Sequence, residues 1–184
     1  MKYQIRLSGS GGQGLILGSI LLSEAASKEG KNVLQSQAYG PASRGGSSRA
    51  DVIIADEEIY YPSAESLELL LCLTQEAADK YITLLKSDGI LIFDSSNVKI
   101  NPIKAETIAI PFTQIAIDKL KTSLVTNIIA IAFIATLTEL ISLKELKKAI
   151  KNNIKEKFID LDIKAAELGV KLAKDYKNGK VIKT

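Results

Sequence analysis

Along the first third of the chain, apolar and polar positions alternate in short runs that break on glycine. "KYQIRLS" alternates and runs directly into "GSGGQG", which reads as a strand entering a tight turn. "GLILGSILLSEAASKEG" switches to helical spacing and ends at Gly30, a natural helix stop. "NVLQSQ" is a second short strand, and "AYGPASRGGSS" carries turn residues throughout and reads as a loop. "RADVIIADEEIYYP" alternates around Asp56 and Glu57, which predicts a hairpin turning there. "LELLLCLT" reads as a buried strand, "QEAADKYITLLKSDG" as a helix ending at Gly89, and "ILIFDS" as a strand. "ETIAIPF" is a last strand, stopped by Pro111.

From Thr113 the pattern turns helical. "TQIAIDKL" is a short helix and Leu124 to Leu140 a long apolar one. "SLKELKKAIKNNI" opens with Ser142 three residues before Glu145, a capping-box spacing, and "DLDIKAAELGVKLAKDY" is the last helix. The tail "KNGKVIKT" is expected to fray. Strands alternating with helices, then helices alone, predict an α/β fold. The expected form is a three-layer open sheet with a Rossmann-like beginning and a mostly helical C-terminal third. With no repeat, linker or low-complexity segment, 1–184 reads as a single domain.

Composition narrows the chemistry. There is no histidine, which removes the commonest general base and metal ligand, and one cysteine, Cys72, which lies in an apolar run and reads as core. The net charge of +3 is dispersed and argues for neither nucleic acid nor an anionic membrane as a partner. "MKYQIRLSG" does not read as a signal peptide. The most hydrophobic segment, Ser123 to Leu143, is interrupted by Thr126, Asn127, Thr136, Thr138 and Glu139. It is therefore expected to be a buried helix rather than a membrane span, and the chain to be cytoplasmic.

Gly9, Gly11, Gly12, Gln13 and Gly14 satisfy G-x-G-x-x-G between a strand and a helix. A dinucleotide site also needs an acidic residue at the end of the next strand, and Gln35 and Gln37 stand there instead. No Lys-Ser or Lys-Thr follows the glycines, so the P-loop pattern fails as well. The second loop brings Tyr39, Gly40 and Pro41, then Arg44 and Arg49 around Gly45 and Gly46. In an open α/β sheet both loops would emerge at the carboxyl edge, side by side. Together they would offer backbone N–H groups, two guanidinium forks and an aromatic ring, suited to a phosphorylated ligand or a subunit seam.

"GSGGQG" followed by "QSQAYGPASRGGSSRADVIIADEEIYYP" resembles the gamma subunits of 2-oxoacid:ferredoxin oxidoreductases, and most of all their 2-oxoglutarate (KorC-like) branch. The similarity runs over most of the chain, with Asn127 in a matching helix; the C-terminal part is less diagnostic. The resemblance implies a subunit of a complex that converts a 2-oxoacid and coenzyme A to an acyl-CoA and CO2, reducing ferredoxin. It implies alpha, beta (thiamine-binding) and ferredoxin-like partner subunits, which hold thiamine diphosphate, magnesium and an iron–sulfur cluster. This chain would then bind no cofactor alone, be inactive in isolation and help shape the coenzyme A side of the assembly. The alternatives are a gamma-type subunit for pyruvate, a branched 2-oxoacid or indolepyruvate, and a stand-alone Rossmann-type NAD(P)-binding protein. Gln35 and Gln37 argue against the last.

Overall fold

The computed structural model describes residues 1–39, 47–61, 63–180 and 182, with the backbone but not the side chain of Tyr39. Six strands form one sheet in the order β2-β3-β1-β4-β5-β6. They are β1 (Lys2–Ser10), β2 (Asn32–Tyr39), β3 (Ser47–Ala55), β4 (Leu67–Cys72), β5 (Leu85–Asp94) and β6 (Glu106–Ile110). β1, β4, β5 and β6 run parallel, whereas β3 is antiparallel to both β1 and β2. The sheet is therefore mixed, and the antiparallel β3 stands between β2 and β1.

Two layers of side chains cover this sheet. On one face Ile5, Leu7, Val52, Ile54, Leu69 and Leu71 join a large core with α1 (Leu15–Lys28), α4 (Thr126–Thr138), α5 (Leu143–Asn153) and α6 (Glu156–Lys177). α3 (Phe112–Leu120) adds Phe112 and Ile115 to the same core. On the other face Ile53, Leu70, Cys72 and Leu91 pack under α2 (Gln75–Tyr81) and the segments beside it. The three-layer α/β expectation holds, with a thick and a thin helical layer.

α4 is buried on every side from Thr126 to Ala135, so it has no polar face to show to water. Its enclosure depends on close approach by α6. A Cβ on Gly169 would collide with the carbonyl oxygen of Ile129 and lie 2.9 Å from the Ala132 Cβ. Only a residue without a side chain fits that crossing.

On the thin side, Arg6 occupies a polar position of the β1 alternation, yet that face of the sheet is covered as well. It is 1% exposed, and its guanidinium forks onto Asp51 of β3 at 2.7 and 2.8 Å. It also donates to the Ala64 carbonyl at 3.0 Å and lies 4.9 Å above the Tyr81 ring. A paired, aromatic-covered charge is what makes this burial tolerable. Cys72 is buried as expected, with burial pushing its thiol up to about 12, so it is an inert core residue.

Several boundaries differ from the sequence expectation. No hairpin turns at Asp56 and Glu57; β3 is one strand from Ser47 to Ala55. The chain leaves the sheet at Asp56, whose carboxylate accepts from the Met1 amine at 3.0 Å and the Lys31 ammonium at 2.7 Å. The hairpin is formed instead by β2 and β3, whose ladder carries Ala38, Tyr39, Ser47 and Ser48 out of the expected loop. The helix expected to end at Gly89 stops at Tyr81, passes through a 3-10 turn at Ile82–Leu84 and becomes β5 at Leu85. Pairing of Leu85 with Leu67 on β4 overrides the helical spacing there. Leu124 precedes the long helix rather than opening it, and the last helix starts earlier, at Glu156.

The Ser142 cap is present and accepts from the Glu145 backbone N–H at 3.4 Å. The reciprocal half of the box is supplied from elsewhere, because the Ser142 N–H donates to Glu29 of the C-terminal end of α1 at 2.8 Å. Glu145 pairs with Lys148 instead.

The α4–α6 crossing gives a direct test. Gly169→Ala is expected to destabilise the chain by about 1–3 kcal/mol, because the added methyl must push two helix backbones apart. Gly11→Ala, where a Cβ meets nothing within 4 Å, is expected to change stability by less than about 0.5 kcal/mol. Urea midpoints for the two variants decide whether the crossing is as tight as described.

Candidate functional site

The carboxyl edge of the parallel strands gathers the chemistry read from the sequence. β1 ends at Ser10 opposite Ser47, and β2 ends at Tyr39 opposite Ser48. The strand ends flanking 40–46 thus lie on the same edge as the glycine turn. Gly40, Pro41, Arg44, Gly45 and Gly46 themselves fall outside the described residues.

The glycine turn is held by its own side chain and by α4. Gln13 Oε1 accepts from the Ser10 N–H at 2.7 Å, closing the turn as a backbone group would. It passes over Gly9, where any Cβ would collide with the Gln13 amide. Gly12 and Gly14 have φ of 90° and 71°, in the left-handed region that disfavours a side chain. Gly14 caps α1 without a side-chain hydrogen bond, so the first N–H groups of that helix have no side-chain cap. Its carbonyl accepts from the Asn127 side-chain amide at 3.1 Å and from Gly18 N–H at 2.9 Å. A methyl on Gly14 would collide with Asn127. The two helix starts therefore interlock.

Gly11 and Gly12 face open space. A hollow of about 260 Å³ lies over them, lined also by Ser10, Leu15 and Ser48 of β3. Arg49 is not in a loop. It sits in β3, half-buried, 4.0 Å from Asp51 and 5.9 Å from the Tyr81 ring centre. Lys80 joins it, 5.3 Å from the same ring and donating to Ser47 Oγ at 2.9 Å. Arg6, Arg49 and Lys80 therefore cluster around one aromatic ring with a single carboxylate between them.

The strand order bears on the dinucleotide pattern. In a Rossmann half the second strand lies beside the first. Here β3 intervenes, so the end of β2 stands two strand spacings, roughly 10 Å, from β1. Gln35 points the other way and donates to Ser19 of α1 at 2.8 Å.

A second cleft, of about 320 Å³, opens where α1, α4 and α6 begin. Leu17, Ile128, Ile154 and Leu161 supply much of its wall. Leu124 and Phe158 stand at it 83% and 44% exposed. Two acceptors are set into this apolar lining. The Asn127 side-chain oxygen is buried and has no hydrogen-bond partner among the described residues. Asp162 is 7% exposed, and among the described residues neither a donor nor a cation reaches its carboxylate. Burial alone pushes its pKa up from 3.8 to about 6. The sequence reading missed Asp162, although the signal was there. It interrupts the apolar stripe formed by Phe158, Leu161, Ala165, Ala166 and Gly169.

Another buried carboxylate at this edge, Asp94, is fully employed. It accepts from Ser96 N–H at 3.0 Å, Asn97 Nδ2 at 3.2 Å and Thr113 N–H at 3.1 Å, tying the exit of β5 to α3. Among the described residues no group of three or more His, Cys, Asp or Glu side chains is placed to hold a metal ion, and no helix is long and apolar enough to cross a membrane.

The class defined by this geometry is an α/β domain with a strand–glycine turn–helix unit whose nucleotide-type edge is altered by an inserted antiparallel strand. Known proteins place it more narrowly. Residues 4–172 match the model of the pyruvate ferredoxin/flavodoxin oxidoreductase family. The 2-oxoglutarate synthase subunit KorC of Methanocaldococcus jannaschii is 36% identical over 179 residues, covering 95% of this chain and 96% of the relative. A solved keto/oxoacid ferredoxin oxidoreductase gamma subunit from Geobacter sulfurreducens is 40% identical, with a TM-score of 0.83 and coverage of 93% and 98%. The fold also recurs, at 20% identity and a TM-score of 0.86, within 33% of a chain of the 2-oxoglutarate:ferredoxin oxidoreductase of Magnetococcus marinus, solved with 2-oxoglutarate, coenzyme A and succinyl-CoA bound. The chain belongs to the pyruvate ferredoxin/flavodoxin oxidoreductase family and is a gamma-type subunit of a 2-oxoacid:ferredoxin oxidoreductase.

Two outcomes follow from these contacts. Gly14→Ala and Asn127→Ala are each expected to destabilise the chain, by about 1–3 kcal/mol for the strained methyl and about 1 kcal/mol for the lost hydrogen bond. The double variant should cost less than the sum, because removing Asn127 removes the collision. Strict additivity in a double-mutant cycle would show that the two helix starts are not interlocked.

Asp162 makes a pH prediction. Its folded pKa lies above the unfolded one, so its share of stability is full below pH 3.8 and declines as pH rises to about 6, where the loss levels off. Asp162→Asn removes that loss. The Tm of the isolated chain should rise by roughly 2–6 °C at pH 7 and stay unchanged near pH 4. An equal shift at both values would mean that the carboxylate is not the cause.

Proposed function

We propose that this chain serves a 2-oxoglutarate:ferredoxin oxidoreductase, the complex that forms succinyl-CoA, CO2 and reduced ferredoxin. The observation that carries the substrate is the near full-length match to a 2-oxoglutarate synthase subunit. Thiamine diphosphate, magnesium and the iron–sulfur cluster are assigned to the alpha, beta and ferredoxin-like subunits. We place the complex in the cytoplasm.

The role of this chain is to cover the coenzyme A side of the assembly. The fit rests on the open glycine turn. Gly11 and Gly12 leave room for an approaching group, and the N-terminus of α1 supplies N–H donors without a side-chain cap and a positive helix end. Those groups would hold the phosphates of coenzyme A, and Tyr39, Gly40, Pro41, Arg44, Gly45 and Gly46 are assigned to the same ligand or to a subunit contact. Coenzyme A supplies the acyl-accepting thiol. The chain's own contribution is to orient and to neutralise charge. Arg49, clustered with Lys80 around the Tyr81 ring, would add positive charge at the same edge. Gly9 and Gln13 keep the turn in shape.

Reconstitution with the partner subunits tests this reading. The complete complex is expected to turn over 2-oxoglutarate with kcat/KM at least about tenfold above pyruvate, a branched 2-oxoacid or indolepyruvate, and the isolated chain to show no turnover. Preference for another 2-oxoacid would overturn the substrate. Arg44→Ala is expected to raise KM for coenzyme A roughly 10–100-fold, the loss of one charge-assisted contact, and to leave KM for the 2-oxoacid unchanged. Normal assembly with unchanged coenzyme A kinetics would make Arg44 a solvated surface residue.

A further inference from the structure

The cleft between the starts of α1, α4 and α6 is built in an unusual way. Its walls are largely apolar, yet two acceptors are set into them that, among the described residues, meet no donor. The Asn127 side chain spends its amide N–H on the Gly14 carbonyl, which fixes its oxygen as the unpaired end. The Asp162 carboxylate, on the buried stripe of α6, is pressed among apolar groups at a cost to the folded chain. Charged groups around it are few. α1 contributes Leu17 and Gly14, and α4 contributes Asn127 and Ile128. On α6 itself the adjoining turns carry Phe158, Ala165 and Ala166. Lys155 is the one other charged residue on the cleft; it is exposed and makes no ion pair with Asp162.

The complement of such a pocket is a cation on an apolar stem, surrounded by apolar contact. Lysine and arginine have that shape, with three or more methylenes beneath the charge. Leu124 and Phe158, exposed beside the opening, would exclude water from the contact as apolar rims do at protein interfaces. We propose that this cleft is a docking socket for a lysine or arginine on an otherwise apolar segment of a partner subunit, with Asp162 and the Asn127 side-chain oxygen as its acceptors. The proposal rests on the reading of the chain as a subunit, and it adds a defined contact to that reading. Asp162 is then a residue that costs stability in the free chain and supplies affinity in the complex.

The test is association of the chain with the complex lacking it, measured at pH 5.5 and pH 7.5. Wild-type affinity is expected to rise about fourfold between the two, because the arriving cation favours the ionised carboxylate. Asp162→Asn should bind roughly tenfold or more weakly at pH 7.5 and lose most of the pH dependence, while the free variant is the more stable protein. Leu124→Glu should weaken binding at both pH values. Wild-type affinity and pH profile in Asp162→Asn would overturn the socket while leaving the subunit reading intact. So would an effect on KM for coenzyme A with assembly unchanged, which would give the cleft to the coenzyme instead. Failure of the wild-type chain to join any oxidoreductase subunit would remove both readings.

Discussion

Burial of α4 on all sides is the constraint on which the thick half of the molecule depends. Ten consecutive residues, Thr126 to Ala135, must be kept from water, and one sheet face cannot do that alone. α1 and α6 complete the enclosure, and each comes close enough only where a side chain is missing. Gly169 lets α6 rest on the Ile129 carbonyl, and Gly14 lets α1 begin against Asn127. The same contacts that bury the helix set the position of the glycine turn. A packing requirement thus fixes the geometry of the edge where the chemistry is expected.

On the thin side, a different device holds the sheet. The Arg6–Asp51 pair bridges β1 and β3, the two strands whose antiparallel contact separates this domain from a dinucleotide-binding half. Breaking one member would leave a buried charge uncompensated, which is why such pairs are costly to disturb even when they add little net stability. The neighbouring Arg49, Lys80 and Tyr81 extend a positive surface toward the strand ends that flank 40–46. The glycine turn leaves the first turn of α1 without a side-chain cap and lacks the neighbouring strand end that would grip a ribose. An edge of that kind suits a subunit that shapes part of a shared site rather than one that encloses a cofactor.

Stability and assembly pull against each other at the α1/α4/α6 cleft. A chain selected only for its own stability has no use for Asp162 among leucines, or for Leu124 standing in water. Both features make sense in a surface that is finished by another protein, where a desolvated charge and an exposed apolar rim find their complements. The hollow over Gly11 and Gly12 shares Gly12 and Gly14 with this cleft. The two proposed contact surfaces would therefore meet at the start of α1.

The sequence by itself determined the elements with strong local signals. Alternation in "KYQIRLS", helical spacing after Gly14, the Ser142 cap and the unbroken apolar run of α4 all reappear, because each is decided by neighbours a few residues away. The family was legible too, since its two loop strings are local. What the sequence misread was decided by pairing at long range. "LLKSDG" has helical spacing, yet becomes strand because β4 offers Leu85 and Ile90 a ladder. The hairpin is made by β2 and β3 rather than at Asp56 because β3 continues along β1 to Ala55. Asp162, the unpaired Asn127 oxygen and the cluster around Tyr81 arise only in the fold. Their significance is a matter of burial and missing partners, which depend on what the rest of the chain brings alongside.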